Sequence, residues 1–211
     1  MHIIANIISP NFDERPEGCK PQFVILHYTE MLFDDAMDRL CDQNAKVSAH
    51  YLIKKTGEIY NLVPDQYRAW HAGKSYWKGL EKLNDHSIGI EMDNMGDEPF
   101  VKEQMDSCIA LCHFLMKKHD ISRENVIGHS DIAPDRKIDP GVFFDWQLLD
   151  RNGIGIPCKH HSKNHSKHHI SHMNMSAKQR YLQDMGYKIE VTNANDAQTQ
   201  YVMRAFESHF R

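Results

Sequence analysis

Three short apolar runs limit the folds open to this chain more than any other feature. Residues 23–26 read FVIL, residues 87–90 read SIGI and residues 126–127 read VI. Short runs without polar alternation are typical of strands that are buried on both faces of a sheet. Amphipathic helical segments lie between them, so the sequence predicts an α/β fold with a central mixed β-sheet flanked by helices.

A polar side chain capable of chemistry follows each run. His27 and Glu91 come directly after the first two runs, and His129 comes just after the third. If neighbouring strands run in the same direction, these side chains emerge at one edge of the sheet and can converge. Two histidines and one carboxylate make a catalytic zinc set with an open position for water. On chemistry alone, Glu91, Asp131 or Asp139 could supply that carboxylate.

The third run opens the most polar stretch of the chain, VIGHSDIAPDRKIDPG at residues 126–141. Pro134 and Pro140 disfavour regular structure, so we predict a loop at a strand end. Loops held by a rigid scaffold often carry catalytic groups. An ordinary surface loop with solvated charges is the alternative from this segment alone.

The other periodic segments supply a scaffold. Residues 47–53 and 58–63 predict a β-hairpin with His50 inside its first strand. Residues 64–86 form a long aromatic segment in which Trp70, Tyr76 and Trp77 could line a groove or cover the sheet edge. Helices are predicted at residues 31–41, from about 99 to 119, and at 142–149.

Composition excludes several classes of function. The 211 residues carry a formal net charge of −4, which gives no electrostatic support for nucleic acid as the main partner. No apolar run is long enough for a transmembrane segment. Five cysteines without a regular spacing do not suggest a disulfide framework. The N-terminal sequence shows no export signal, so we expect a cytoplasmic protein, with the cell envelope or periplasm as the alternative.

The chain divides by composition into three segments. Residues 1–150 form the predicted catalytic domain, 151–175 a His-rich linker and 176–211 a small helical module. Six histidines lie between residues 158 and 175, where few apolar residues are present. A flexible linker is favoured over metal chelation there. The last segment is too short for a large core and is expected to need support from the first domain.

Five motifs resemble one enzyme family. They are VILHYTE, VSAHYLI, AWHAGKSYWKG, NDHSIGIEM and GHSDIAPDRKIDPG, in this order along residues 8–150. They are similar to the motifs of the type 2 N-acetylmuramoyl-L-alanine amidases, the zinc family that includes AmpD-like and AmiD-like enzymes. The tail motifs LQDMGY and AFESHF resemble, over a shorter length, a small helical peptidoglycan-binding module.

The resemblance implies a role for each of five residues. His27, His129 and Asp139 would bind one catalytic Zn²⁺ ion. Glu91 would be the catalytic carboxylate that moves a proton, and Lys137 would lie beside the metal. These roles agree with the chemistry of each side chain.

The same resemblance places four further residues in substrate-binding motifs. Lys82 occupies the position of a basic residue that binds a stem-peptide carboxylate, although lysine cannot make the bidentate contact of arginine. His50, Trp70 and His71 would line the groove or support the metal ligands.

The implied reaction is hydrolysis of the amide between N-acetylmuramic acid, or its 1,6-anhydro form, and L-alanine. The expected partners are peptidoglycan fragments or muropeptides, in cell-wall recycling or remodelling. A peptidoglycan-recognition protein without catalysis is the alternative, and it would be marked by a missing metal ligand. A metal-buffering protein built on the His-rich segment is a third hypothesis.

Overall fold

The computed structural model describes residues 1–157 and 170–210. Residues 158–169 of the predicted His-rich linker lie outside this range. The strands are β1 Ile3–Ile4, β2 Phe12–Glu14, β3 Phe23–Leu26, β4 Tyr51–Ile53, β5 Ile59–Asn61, β6 Tyr67–Ala69, β7 Tyr76–Trp77, β8 Leu80–Glu81, β9 Ser87–Met92 and β10 Val126–Gly128. The helices are α1 Phe33–Cys41, α2 Lys102–His119, α3 His129–Ile132, α4 Trp146–Arg151, α5 Met175–Met185 and α6 Ala197–His209.

The central sheet has six strands in the order β1-β5-β4-β9-β3-β10. Strands β4, β9, β3 and β10 are all parallel, whereas β5 pairs antiparallel with β4 as the predicted hairpin. The predicted mixed α/β architecture is therefore confirmed. The parallel strands bring their carboxyl ends to one edge, which is where ligands bind in sheets of this kind.

Strand β3 shows why its sequence is a continuous apolar run. Val24 and Leu26 belong to a hydrophobic cluster that includes residues of α2 and α4. Phe23 and Ile25 point to the opposite face and belong to a second cluster. Successive side chains of a strand alternate between faces, so a strand covered on both sides must be apolar at every position.

The second face of the sheet is covered by the C-terminal helix pair, α5 and α6. Leu182 of α5 and Val202 and Phe206 of α6 pack in the same cluster as Ile25 and Ile127 of the sheet. The support expected for the small helical segment thus comes from the sheet itself.

Local structure departs from the predictions at four places. His50 precedes β4 rather than lying in it. The helix predicted at 142–149 begins at Trp146, because the Asp145 side chain accepts a hydrogen bond from the Leu148 amide and caps the helix there. The predicted polar loop contains one helical turn, α3, because the Asp131 carboxylate accepts a bond from the Gly128 amide and caps it. Residues 64–86 contain β6, β7 and β8 instead of an irregular loop.

No helix within residues 1–157 or 170–210 combines the length and apolar character that crossing a membrane requires.

Candidate active site

The strand register brings the three predicted positions together. Leu26 is paired with Ile90 on one side and with Gly128 on the other. The ladder continues past β3, since the His27 amide donates to the Ile90 carbonyl and the His27 carbonyl accepts from the Met92 amide. His27 therefore lies beside Glu91 on β9 and beside His129, which follows β10.

Three side-chain atoms meet at this edge in a nearly equilateral triangle. His27 Nδ1 lies 2.9 Å from His129 Nδ1 and 3.0 Å from Asp139 Oδ2. His129 Nδ1 lies 2.9 Å from the same carboxylate oxygen. All three residues are buried. Among the residues that the structure describes, their three side-chain atoms are close enough together to bind one metal ion. The structure thus selects Asp139, not Asp131, as the carboxylate of the cluster.

A chain of hydrogen bonds fixes the tautomer of His27. The Ser87 hydroxyl donates to the Leu83 carbonyl at 2.5 Å, so its oxygen accepts from His71 Nε2 at 3.2 Å. The Nδ1 atom of His71 is then an acceptor, and it lies 3.0 Å from His27 Nε2. The proton of His27 is consequently on Nε2, which leaves a lone pair on Nδ1.

The tautomer of His129 is fixed by a simpler contact. Its Nε2 lies 3.3 Å from the Ala72 carbonyl oxygen, which can only accept. The proton of His129 is on Nε2, and Nδ1 carries the lone pair. Histidines that bind metals in proteins usually donate their other ring N–H to a carbonyl or a similar acceptor in this way.

The tautomers of His27 and His129 determine whether the three residues fit a metal ion. Two imidazole lone pairs and a carboxylate oxygen face one another at about 3 Å with no proton between the two nitrogens. Such an arrangement is repulsive unless a cation lies among the three atoms. Nitrogen and carboxylate donors of this number match a catalytic zinc site, so the donor set fits the ion.

The protonation states agree with that fit. Burial, followed by the nearby His129, lowers the pKa of His27 to about 4, so its imidazole is neutral near neutral pH. Burial raises the pKa of Asp139, whereas His129 and His27 in their protonated forms hold that pKa well below its ordinary value, so the carboxylate is ionised before a metal displaces those protons. A neutral imidazole and an ionised carboxylate are the forms that bind a metal.

Glu91 has the opposite environment. Its carboxylate lies 4.0 Å from His27 Nδ1, and its Oε2 atom is buried with no hydrogen-bond partner among the described residues. Burial, then the charge of Asp139, raise the pKa of Glu91 well above its ordinary value, while Lys137 acts against them. A carboxyl group with a raised pKa and a free oxygen beside a metal site can exchange protons near neutrality.

His71 reaches its position because residue 89 is glycine. A Cβ atom at Gly89 would lie 2.4 Å from Cγ of His71, so any larger residue would displace the imidazole. The glycine of the SIGI run is thereby required for the contact between His71 and His27. His71 was predicted for the substrate groove or as a support, and the structure places both of its ring nitrogens in the supporting network.

A cleft of about 480 Å³ opens above the cluster and is lined by Glu91 and Lys137 among others. Two further residues here were not anticipated from the sequence. Tyr28 lines the cleft, and burial followed by the charge of Asp139 raises its pKa to about 12. Arg136 donates to the carbonyls of Ala72 and Lys74 and ties that segment to the cleft wall. In the sequence, the position of Tyr28 next to His27 could have indicated its place in the cleft. No feature of the sequence indicated the role of Arg136.

The remaining predicted substrate-binding residues are dispersed. His50 is fully buried below the sheet edge, where its Nδ1 accepts from the Gly89 amide at 3.0 Å. Trp70 is half-buried, and its side chain helps to lower the pKa of the Asp13 carboxyl group, after the larger effects of Arg68 and burial. Neither lines the cleft, so direct substrate contact by His50 and Trp70 is not supported. Lys82 lines a separate groove of about 630 Å³ between the β7–β8 hairpin and α6.

A His-His-Asp cluster at the edge of a parallel sheet is an arrangement typical of metal-dependent hydrolases, and comparisons with known proteins identify the family. The family model described as N-acetylmuramoyl-L-alanine amidase matches residues 17–142. The chain is 36% identical over 207 residues to the N-acetylmuramoyl-L-alanine amidase AmiD of Escherichia coli K12, covering 89% of this chain and 74% of AmiD. It is 37% identical over 160 residues to the 1,6-anhydro-N-acetylmuramyl-L-alanine amidase AmpD of Haemophilus influenzae, covering 67% of this chain and 87% of AmpD.

Solved structures give the same result. The structure of E. coli AmiD in complex with the substrate anhydro-N-acetylmuramic acid-L-Ala-D-γ-Glu-L-Lys superposes with a TM-score of 0.78 at 31% identity, over 95% of this chain and 89% of AmiD. The chain therefore belongs to the N-acetylmuramoyl-L-alanine amidase family and is an enzyme of that class.

Proposed function

We propose that this enzyme is a zinc-dependent amidase that cleaves the bond between the lactyl carbonyl of N-acetylmuramic acid, or its 1,6-anhydro form, and L-alanine. Its substrates would be muropeptides or peptidoglycan fragments released in cell-wall recycling or remodelling. The observation that carries the proposal is the triangle of two deprotonated Nδ1 atoms and one carboxylate oxygen beside the unpartnered Glu91.

His27, His129 and Asp139 would hold the ion. Zinc bound there would supply Lewis acidity and a water whose pKa falls to about 7. His71 and the Ala72 carbonyl keep both imidazoles in the required tautomer and orientation. The protein thereby contributes a prearranged donor set, which avoids the cost of ordering the ligands at each turnover.

Glu91 would act as general base and then as general acid. Its Oε2 takes a proton from the attacking water and later delivers it to the nitrogen of the departing L-alanine. The raised pKa of Glu91 suits this exchange, because proton transfer is most efficient when the pKa lies near the working pH.

Lys137 would stabilise the oxygen that becomes negative when the carbonyl carbon turns tetrahedral. It lines the same cleft as Glu91 and lies near enough for its charge to lower the pKa of both His27 and Glu91. A cation aimed at a developing oxyanion in a partly water-excluded cleft contributes substantially to rate.

The stem peptide would extend from the cleft toward the second groove. Lys82 and Lys74 both line that groove, whose other wall includes Tyr201 of α6. Two ammonium groups beside an apolar wall suit a peptide that bears carboxylates. The E. coli AmiD complex contains a stem peptide of this chemistry.

The test uses purified muropeptide and two variants. Glu91→Ala should retain zinc and lose most hydrolysis, by about 10³-fold, whereas His129→Ala should lose the zinc itself. Elemental analysis measures metal content, and mass spectrometry of the released peptide measures the reaction. Normal turnover by Glu91→Ala, or full zinc content in His129→Ala, would refute the assigned role.

The same enzyme preparation can identify the substrate, and cell fractionation can identify the compartment. One preparation digested against intact sacculi and against anhydromuropeptide distinguishes remodelling from recycling. Fractionation of cells then places the enzyme in the cytoplasm or the envelope. A recognition protein without catalysis is not favoured, because the three donors and Glu91 are all in place.

A further inference from the structure

Asp131 lies in the same loop as the proposed metal ligands but is bonded to the C-terminal helix pair. Its Oδ1 accepts a 2.6 Å bond from the Tyr187 hydroxyl, and its Oδ2 accepts a 2.7 Å bond from His209 Nδ1. The Gly128 amide also donates to Oδ2 at 2.8 Å. The side chain of Asp131 is fully buried.

Both C-terminal donors are themselves held firmly. The ring of Tyr187 packs edge-on against Trp77 with centroids 4.9 Å apart, and the ring of His209 stacks on Trp146 with centroids 3.8 Å apart. All four rings are buried. Their positions are therefore set by packing between the catalytic segment and the helix pair, not by exposed and adaptable side chains.

The loop transmits the position of Asp131 to the ligands over a short path. His129 is two residues before Asp131, and the Ser130 amide donates to the Asp139 carbonyl at 2.8 Å. A Cβ atom at Gly128 would lie 2.8 Å from Cδ of Pro140, so the two ends of the loop are in close contact. Little space is left for Asp131 to move without moving the turn that carries His129 and Asp139.

We propose that Tyr187 and His209 are positioning residues of the amidase, which act through Asp131 to hold the metal-binding loop. The C-terminal segment then has a role in catalysis in addition to any contact with the cell wall. This inference rests on the proposed function, since it takes His129 and Asp139 as zinc ligands.

The physical reason is the cost of a buried carboxylate. With three donors, Asp131 is well compensated in an apolar setting; with Gly128 alone it is not. Without the two C-terminal donors, the Asp131 carboxylate would move toward solvent. The turn that carries His129 and Asp139 would shift with it. Ligand geometry is sensitive to such shifts, and outer partners of metal ligands typically alter metal affinity or activity by 10-fold or more.

The test is a double-mutant cycle on the full-length chain. Tyr187→Phe and His209→Phe remove the two donors while keeping aromatic rings, so that the ring at position 209 can still stack on Trp146. Tyr60→Phe, in the separate cluster around Leu40, and His113→Phe, exposed on α2, are the matched controls. The same changes are made in an Asp131→Asn background, and zinc affinity by chelator competition, kcat, KM and thermal midpoint are measured for each.

We expect the combined Tyr187→Phe/His209→Phe variant to bind zinc about 10-fold more weakly and to lose kcat with KM unchanged. In the Asp131→Asn background the same changes should weaken zinc binding by less than about a further twofold, because the effects of coupled sites are not additive. The control variants should match the wild type.

Two results would overturn the inference. One is a lower thermal midpoint with unchanged zinc affinity and kcat, which is a stabilising role only. The other is an equal effect in both backgrounds, which rules out action through Asp131. If the combined variant does not fold, hydrogen exchange of the backbone amides of residues 127–133 is measured in Tyr187→Phe alone. Unchanged protection of those amides contradicts the positioning role of Tyr187. Failure of the wild type to bind zinc would instead refute the proposed function.

Discussion

Asp131 and Asp139 lie eight residues apart in one loop, are both buried, and have neighbours of opposite character. Asp131 faces three donors, the amide of Gly128, the hydroxyl of Tyr187 and the ring N–H of His209. Asp139 Oδ2 faces two imidazole nitrogens whose protons are on the other side of their rings. The first carboxylate is satisfied by protein hydrogen atoms, and the second requires a cation.

The comparison shows how a structural carboxylate differs from a metal-binding one. Burial does not distinguish them, and neither does residue type or sequence neighbourhood. The tautomers of the surrounding groups do. The Ala72 carbonyl sets the tautomer of His129 directly, and Ser87 sets that of His27 through His71. A buried carboxylate should therefore be judged by whether its neighbours present protons or lone pairs.

Replacing each aspartate by asparagine should give the largest contrast. Asp139→Asn removes the negative charge from the proposed donor set, so we expect loss of bound zinc and hydrolysis at background level. Asp131→Asn should still contain zinc when the metal is in excess, and should lower the free energy of unfolding by about 1–3 kcal/mol because bonds to a buried charge are lost. Metal analysis and urea denaturation check the pair. Equal zinc loss in both variants would remove the distinction.

A smaller effect is expected from the group that fixes the tautomer of His27. His71→Phe keeps a ring beneath Gly89 but leaves His27 Nε2–H without its acceptor. Zinc affinity should fall about 10- to 100-fold. Chelator competition measures it, and Trp70→Phe, at the residue directly before His71, serves as control. Unchanged affinity would mean that His27 is oriented by packing alone.

The smallest effect concerns Glu91, a third carboxylate, of which the Oε2 atom is buried and whose pKa is raised where that of Asp139 is lowered. Above about pH 4.3 the unfolded chain loses the Glu91 proton while the folded chain keeps it. Rising pH then favours unfolding until the folded pKa is passed.

In chelator-treated protein, wild type should therefore lose stability relative to Glu91→Gln as pH rises from 4 toward neutrality. The histidines titrate in both proteins and cancel in the difference. Urea midpoints at several pH values give the measurement. A difference that stays constant with pH would contradict the raised pKa.

Much of the site could be predicted from strand ends. His27, Glu91 and His129 were located by the apolar runs before them, and parallel pairing brought them together as expected. The supporting residues could not be located in this way. The contact between His71 and His27 spans 44 positions and depends on a glycine in a third segment. His50 and Trp70 share the motifs of the site, yet their side chains are turned into the interior and toward Asp13.

The sequence by itself determined the sheet and the residues at its edge, because alternation and apolar runs are local properties that fix which strands are buried. It also provided a polar loop with three aspartates, of which Asp131 and Asp139 were both candidate ligands on chemistry alone. The family resemblance implied Asp139, and only the tertiary structure gave the physical reason, because Asp131 is bonded to partners 56 and 78 positions away at Tyr187 and His209. Donor and acceptor roles are properties of contacts, and contacts between distant segments are settled by packing.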